Sequence, residues 1–423
     1  MQKAVLMLVF YDYKINEYIY IYKDMDQKMQ LISNQIKGFL DKSSWIRKMF
    51  ETGIEMKKEF GADNVYDFSL GNPDLPPPEG VSNALFRMST GMNKPFALGY
   101  MNNAGYPEVR KTVAKNLSGE QGMTIPADNV IMTCGAAGAI NVFFRAVLEP
   151  GDEVICPAPY FVEYGFYVGN FGGVLRPVKS KPLTFELDFE AIDKAFTPRT
   201  RAVLINSPNN PTGQIYSRED LEKLAALITK HSEKAGRPIF LLSDEPYRFL
   251  NYDNVEIPSV FSIYKYSVIV SSFSKKLSLA GARIGYLAVN PAIEDPKDLI
   301  NGAIMTNRIL GFVNAPALAQ NILHHSMDST VDINIYRERR DAMAAVLDNS
   351  GIKYSMPRGA FYFFPQSPVE DETVFINALM QEHVLAVPGT GFGYPGYFRL
   401  TFCVDINTII NSKDAFKRAM DKF

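Results

Sequence analysis

Cysteine is scarce: only Cys134, Cys156 and Cys403 occur in 423 residues, far apart and odd in number. That argues against a disulfide framework or a cysteine-rich metal site and makes a reduced, cytoplasmic protein the expectation. Histidine is nearly as rare, with four residues (His231, His324, His325 and His383). The adjacent pair lacks the i, i+4 spacing that puts two ligands on one helix face, so no zinc site is expected. Neither charge is in excess, with 44 basic against 46 acidic residues. The overall electrostatic basis for a nucleic-acid or anionic-membrane partner is therefore missing. Long apolar runs are missing from the N-terminus too. The run at 4–10 is too short to span a bilayer and no small-residue cleavage site follows it, so neither a transmembrane helix nor a signal peptide is expected. Residues 1–24 read as an N-terminal extension without an assigned function, and Met25 and Met29 are further candidate starts.

What is present is a chain longer than one hydrophobic core usually serves, so two domains are expected. A helix over about 31–58 ends near Gly61, and DFSLGNPDLPPP (67–78) is forced into an extended connector by Gly71 and its prolines. A helix over 106–117 is marked by Val109, Val113 and Leu117 at helical spacing. Short β-rich runs follow at 130–133, 153–156, 174–178, 202–206, 239–243, 268–271 and 286–289, alternating with helices. One such helix opens on a Ser217/Asp220 capping box and stops at Gly236. This alternation predicts an α/β fold with a mostly parallel sheet covered by helices. After about His325 the pattern changes to a helix over 332–349, FYFF, a helix over about 372–383, VPGTGFG and FRLTF, which suggests a smaller α+β domain.

Four clusters each fall directly after a predicted strand: CGAAG (134–138), NSPNNPTG (206–213), SDEPY (243–247) and SSFSK (271–275). Ligands of open α/β sheets sit beyond the carboxyl ends of the strands, so the clusters should converge on one ligand. Each supplies something pyridoxal phosphate (PLP) needs. CGAAGAI opens a helix, offering backbone N–H groups near Gly135, Ala136 and Ala137 to a phosphate at the positive helix end. Ser272, Ser274 and Arg283 add hydroxyl donors and a planar guanidinium fork. Asp244 follows an apolar strand, FLLS, and is costly there without a cationic partner. A pyridinium nitrogen at ~4 Å and an effective dielectric of ~20 attracts it by about 4 kcal/mol before desolvation. Half of that moves the ring pKa by more than about one unit toward the protonated form. The ring then becomes an electron sink for a substrate carbanion. Tyr247 and Asn210 suit the ring's phenolic oxygen, Phe161 in PAPYFVEY suits its face, and Arg399 in FRLTF suits a substrate carboxylate. Lys275, eight residues before Arg283, is expected to hold PLP as a Schiff base and then to shuttle the substrate proton.

Taken alone, each cluster has a plainer reading. Gly-rich strand-to-helix turns occur in dinucleotide sites, although Gly135 and Gly138 lack the full G-x-G-x-x-G spacing. NPTG can be just a turn, Asp244 a helix cap, Ser272 and Ser274 a capped turn, Arg399 a structural ion pair and Phe161 a core aromatic. Lys276 is the rival to Lys275.

From about residue 29 to 423 the chain resembles the class I and II aminotransferases, the fold-type I PLP enzymes. The matching signatures are SLGNPD, Tyr100 five residues before Gly105, GAAGA, PAPYF, NPTG, DEPY, SFSK with Arg283 beyond it, PRGAFYFFP, VPGTGFG and FRLTF. The resemblance implies a large PLP-binding domain over 79–328 and a small domain built from both chain ends, 25–78 and 329–423. It implies a homodimer with shared active sites, in which Tyr100 reaches the phosphate of the partner subunit's cofactor. It also implies that the backbone at Gly71, with Asn210 and Arg399, binds substrate. The expected reaction is ping-pong amino transfer from an L-amino acid to a 2-oxo acid through Lys275. Carbon–sulfur β-lyase and aminocyclopropane-carboxylate-type lyase chemistry are alternatives on the same fold, and a PLP-sensing regulator is a third class. One aspartate-specific branch of the family carries lysine where Ala137 stands, and another uses a partner arginine near the slot of Arg308. The departure at Ala137 points away from strict aspartate specificity. Phe161, Tyr164, Phe361 and Tyr362 as pocket neighbours point toward an aromatic or large apolar amino acid.

Overall fold

A computed structural model describes residues 31–42 and 44–423, so the expected extension over 1–24 lies outside the described residues. The chain separates into two units at Ser44. In the first, helix Asn34–Lys42 opens after Ser33, whose hydroxyl accepts a hydrogen bond from the Ile36 amide at 3.2 Å. Helix is described over Asn34–Lys42 and Ser44–Phe60, within the region where a helix is expected over about 31–58.

The second unit is organised by a sheet of seven strands: β1 (Val130–Thr133), β2 (Glu153–Ala158), β3 (Val174–Lys179), β4 (Thr200–Asn206), β5 (Phe240–Asp244), β6 (Ser267–Ser272) and β7 (Gly285–Val289). Their spatial order is β1-β7-β6-β5-β4-β2-β3. Pairing is parallel from β6 through to β3, whereas β7 runs antiparallel to both β6 and β1. Between β6 and β7 the chain forms only a three-residue helical turn, Ala280–Ala282. No crossover helix returns it to the far edge, so it comes back antiparallel. β1 therefore runs in the same direction as the parallel strands.

Successive strand residues go to opposite faces, and both faces are covered. Val203 and Ile205 join a core with Leu221, Leu224 and Ile228 of helix Arg218–Ala235. Ala202 and Leu204 join one with Ile140, Phe143 and Phe144 of helix Gly135–Val147. Edge strand β3 is mostly exposed and carries Pro177 and Lys179, which discourage further strand pairing.

A separate core gathers Phe68 with Met343, Leu347, Phe361, Phe363, Phe375, Phe398 and Phe416. Its strands are short. Phe398–Thr401 lies between Val387–Pro388 and Tyr362–Phe363, antiparallel to both, and Tyr66–Asp67 pairs with Val384–Leu385 in parallel. Helix Ile333–Ser350 packs here, capped by Asp332 and stopped at Gly351. The sheet and this core both contribute residues to the cavity at the carboxyl ends of the parallel strands.

Candidate active site

A cavity of about 410 Å³ opens where β1, β4, β5 and β6 end. Lys275 lines it from the loop after β6. Its Nζ donates to the Gly71 carbonyl at 3.0 Å and stands 5.2 Å from the centre of the Phe361 ring. Burial pushes the ammonium down to about 8; nearby Cys403 opposes this, while the charges of Arg399 and Arg283 add to it. A neutral, nucleophilic amine is therefore accessible near physiological pH. Lys276 points elsewhere, donating to the Met327 carbonyl at 3.2 Å.

Asp244 is the last residue of β5 and is 6% exposed. Oδ2 accepts from the Tyr164 hydroxyl at 2.6 Å, while Oδ1 is buried without a hydrogen-bond partner among the described residues. Burial pushes the carboxyl up to about 7, against the pull of the Tyr164 hydrogen bond and with a further push from Glu245. A buried carboxylate oxygen left unpaired is costly, so Asp244 is set up for a cationic N–H donor in the cavity.

At one end of the cavity, Gly135 begins helix Gly135–Val147 with φ +73°. A Cβ there would lie 3.0 Å from Arg283 Nη2, so glycine lets the guanidinium approach the free N–H groups of the first turn. Ala136, Ala137, Ser272 and Ser274 line the same cavity, and Arg283 is anchored by its Nη1 donating to the Ala280 carbonyl at 3.0 Å. Three kinds of anion donor thus meet at one place.

Arg399 enters from strand Phe398–Thr401. Nη1 donates to Asn210 Oδ1 at 3.2 Å and Nη2 to the Ser69 carbonyl at 2.7 Å. The guanidinium carbon lies 4.7 Å and 4.8 Å from the ring centres of Tyr362 and Phe392. Nε is buried without a partner, and no carboxylate pairs with Arg399 among the described residues, which removes the ion-pair reading. Asn210 is fixed by its backbone N–H donating to Asn206 Oδ1 at 2.7 Å, and Asn206 Nδ2 in turn donates to the Asp244 backbone carbonyl at 2.7 Å. Tyr247 is buried and its hydroxyl lies 3.2 Å from that of Tyr362. Burial drives the Tyr247 phenol well above its ordinary pKa, so it stays protonated as a donor. Phe161 lines the cavity edge-on to Tyr164, with ring centres 5.6 Å apart.

A model of the family "Aminotransferase class I and II" matches residues 63–411. The chain belongs to that family. An aspartate/prephenate aminotransferase of Thermus thermophilus is 32% identical over 381 residues, covering 87% of this chain and 94% of the relative. A crystal structure of an amino transferase from Eubacterium rectale superposes with a TM-score of 0.87 at 37% identity, covering 95% of this chain and 98% of that one. The aspartate aminotransferase of Thermus thermophilus with maleate superposes at 0.81 with 29% identity, covering 92% and 100%. This aminotransferase therefore has the PLP-enzyme fold and carries out PLP-dependent amino-group transfer. Lyase chemistry is not favoured by any of these likenesses.

The cavity of the aminotransferase brings together Lys275, Asp244, Tyr247, Asn210, Ala136, Ala137, Phe161, Ser272, Ser274, Arg283, Gly71 and Arg399, with Gly135 against Arg283. Tyr100 is not among them: it is 93% exposed, beside a depression formed with 312–317. Arg308 is exposed at the end of helix Lys297–Ile309, away from the cavity. Phe361 lies beneath Lys275 and does not line the cavity. Sequence reasoning missed that Tyr164 bonds Asp244 and that Asn206 ties Asn210 to Asp244. No local pattern signals the first, which joins residues 80 apart; Asn206 at the head of NSPNNPTG is the signal for the second.

Proposed function

We propose that Lys275 carries PLP covalently in this cavity and that the enzyme moves an amino group from an L-amino acid with a large uncharged side chain to a 2-oxo acid. The observation that carries the cofactor assignment is the unpartnered Oδ1 of Asp244 in the same cavity as the Lys275 amine. When bound, PLP supplies an electrophilic carbon for the amino group and an electron sink for the substrate carbanion.

On this reading Asp244 Oδ1 faces the protonated ring nitrogen, and Tyr164 holds the other oxygen. The first turn at Gly135, Ala136 and Ala137, with Ser272, Ser274 and Arg283, holds the phosphate, and Phe161 covers a ring face. Tyr247 and Asn210 reach the ring oxygen. Arg399 binds the substrate carboxylate, aided by Asn210 and the Gly71 backbone, which leaves Lys275 free to move the proton at the substrate α-carbon. Residues 79–328 act as the cofactor domain, and 45–78 with 329–423 as the smaller one, in a cytoplasmic enzyme. Large apolar side chains exposed over 85–100 (Phe86 74%, Phe96 91%) support a homodimer in which Tyr100 completes the partner's phosphate site.

The preference for an uncharged side chain rests on the lining. Its cations are Lys275, Arg283 and Arg399, each with a task, and the carboxylate of Glu163 borders the same space. Borohydride reduction of the purified enzyme followed by peptide mass analysis should place pyridoxyl on Lys275. A label on Lys276 would overturn the assignment. In a panel of amino acids with 2-oxoglutarate, aromatic and large apolar donors should react faster than aspartate, and the reverse order would overturn the substrate reading.

A further inference from the structure

Tyr362 is 2% exposed and touches three groups to which the proposed function gives separate tasks. It pairs with Thr401, so in a period-two strand it shares a face with Arg399 and lies diagonally from it. This explains why its ring takes one face of the guanidinium, 4.7 Å away. Its hydroxyl oxygen presses on Gly71, where a Cβ would stand 2.1 Å from it, and the Gly71 carbonyl is the acceptor for Lys275. The same hydroxyl is 3.2 Å from that of Tyr247, with the two rings nearly perpendicular at 85°.

Proton accounting gives this contact two arrangements, since either hydroxyl can donate. A phenol has one proton to give. If Tyr247 donates to Tyr362, nothing remains for a ligand in the cavity. If Tyr362 donates to Tyr247, the Tyr247 proton is committed to the cavity. We infer that Tyr362 is a positioning residue whose hydroxyl donates to Tyr247 and so aims the single Tyr247 proton at the cofactor's ring oxygen, while its ring holds the Arg399 guanidinium in place. The inference rests on the proposed roles of Tyr247 and Arg399.

A donor aimed at the ring oxygen favours the form of the cofactor with more negative charge, so it lowers the pH at which the lysine–cofactor linkage gives up its proton. Tyr362→Phe removes the hydroxyl and keeps the ring. With cofactor bound, the absorbance midpoint should rise by about half to one pH unit, the size expected for one hydrogen bond. Affinity for 3-phenylpropionate, a monocarboxylate with a large apolar tail, read by its effect on the cofactor spectrum, should stay within about twofold because the stacking face survives. Tyr362→Leu removes both and should raise the midpoint and weaken 3-phenylpropionate about tenfold, as loss of a desolvated cation–π face predicts. Replacing Tyr362 by 3-fluorotyrosine, a stronger donor of nearly the same shape, should move the midpoint down. This second route keeps the test open if Phe or Leu fails to fold.

A midpoint that ignores both Phe and 3-fluorotyrosine, while Tyr247→Phe raises it, would overturn the role of Tyr362 and leave that of Tyr247 standing. If Tyr247→Phe leaves the midpoint unmoved as well, the placement of Tyr247 at the cofactor fails, and this inference fails with it.

Discussion

At the residue scale, the site couples function to a stability cost. Asp244 is held uncompensated in the cofactor-free protein, and burial lifts its carboxyl from an ordinary 3.8 to about 7. A carboxyl raised in this way binds more protons folded than unfolded between those values, so its contribution to stability is full below about pH 4 and is lost as the pH climbs to about 7. Asp244→Asn removes the titration. In thermal unfolding of the cofactor-free proteins, the variant should gain on the parent steadily from pH 4 to 7 and level off above. The gain should be on the order of 4 kcal/mol at most, since each tenfold change in proton affinity is worth about 1.4 kcal/mol. Any fixed cost of the buried amide does not change with pH, so a flat difference across that range would contradict the assignment. The variant should also lose amino-transfer activity. Asp244 was legible in the sequence because a charged residue ending an apolar strand is anomalous. Its hydrogen bond from Tyr164 was not, because that contact joins residues 80 apart and reaches across β4 from the segment after β2 to the end of β5.

At the element scale, the strands were legible to within one or two residues, since a buried parallel strand is a short apolar run between turns. Even β2 and β4, the least closely bounded, extend the expected runs by only two residues each. Direction was not legible. Nothing in GYLAV distinguishes β7 from its parallel neighbours, and its reversal follows only from the missing crossover after β6. The two-residue strands near 66, 362, 384 and 387 fall below any periodicity signal. Helix Gly135–Val147 shows an element tuned at its first residue. Gly135→Ala would put a Cβ 3.0 Å from Arg283 and force an L side chain into φ +73°. That conformation costs about 1–2 kcal/mol per residue. Displacing Arg283 from the first turn should weaken PLP retention roughly tenfold or more, since one charge-assisted hydrogen bond is worth about 1.5–3 kcal/mol. Cofactor release measured by absorbance during dialysis checks this, and unchanged retention would remove the turn from the phosphate site.

At the scale of the whole molecule, Tyr100 is the residue that one chain cannot explain. The family signature marks it, yet it is 93% exposed and outside the cavity that collects the other marked residues. Sequence signatures report which residues act together without saying which chain each comes from, so this division was legible only through the resemblance. If two copies share their sites, a mixed dimer of Lys275→Ala and Tyr100→Asp chains contains one intact site. The Tyr100→Asp chain keeps its lysine and receives an unaltered Tyr100 from its partner. Aspartate is chosen because its charge beside the phosphate should expel the cofactor in the parent variant. Unfolding and refolding the two inactive variants together should therefore restore about one quarter of the wild-type activity, because random pairing in a twofold dimer makes half the dimers mixed. Each variant refolded alone should stay inactive. Recovery near zero from a mixture that sediments as dimers would show that Tyr100 serves its own chain, and activity of the Tyr100→Asp variant refolded alone would show that it serves none; either result would sink the shared-site arrangement.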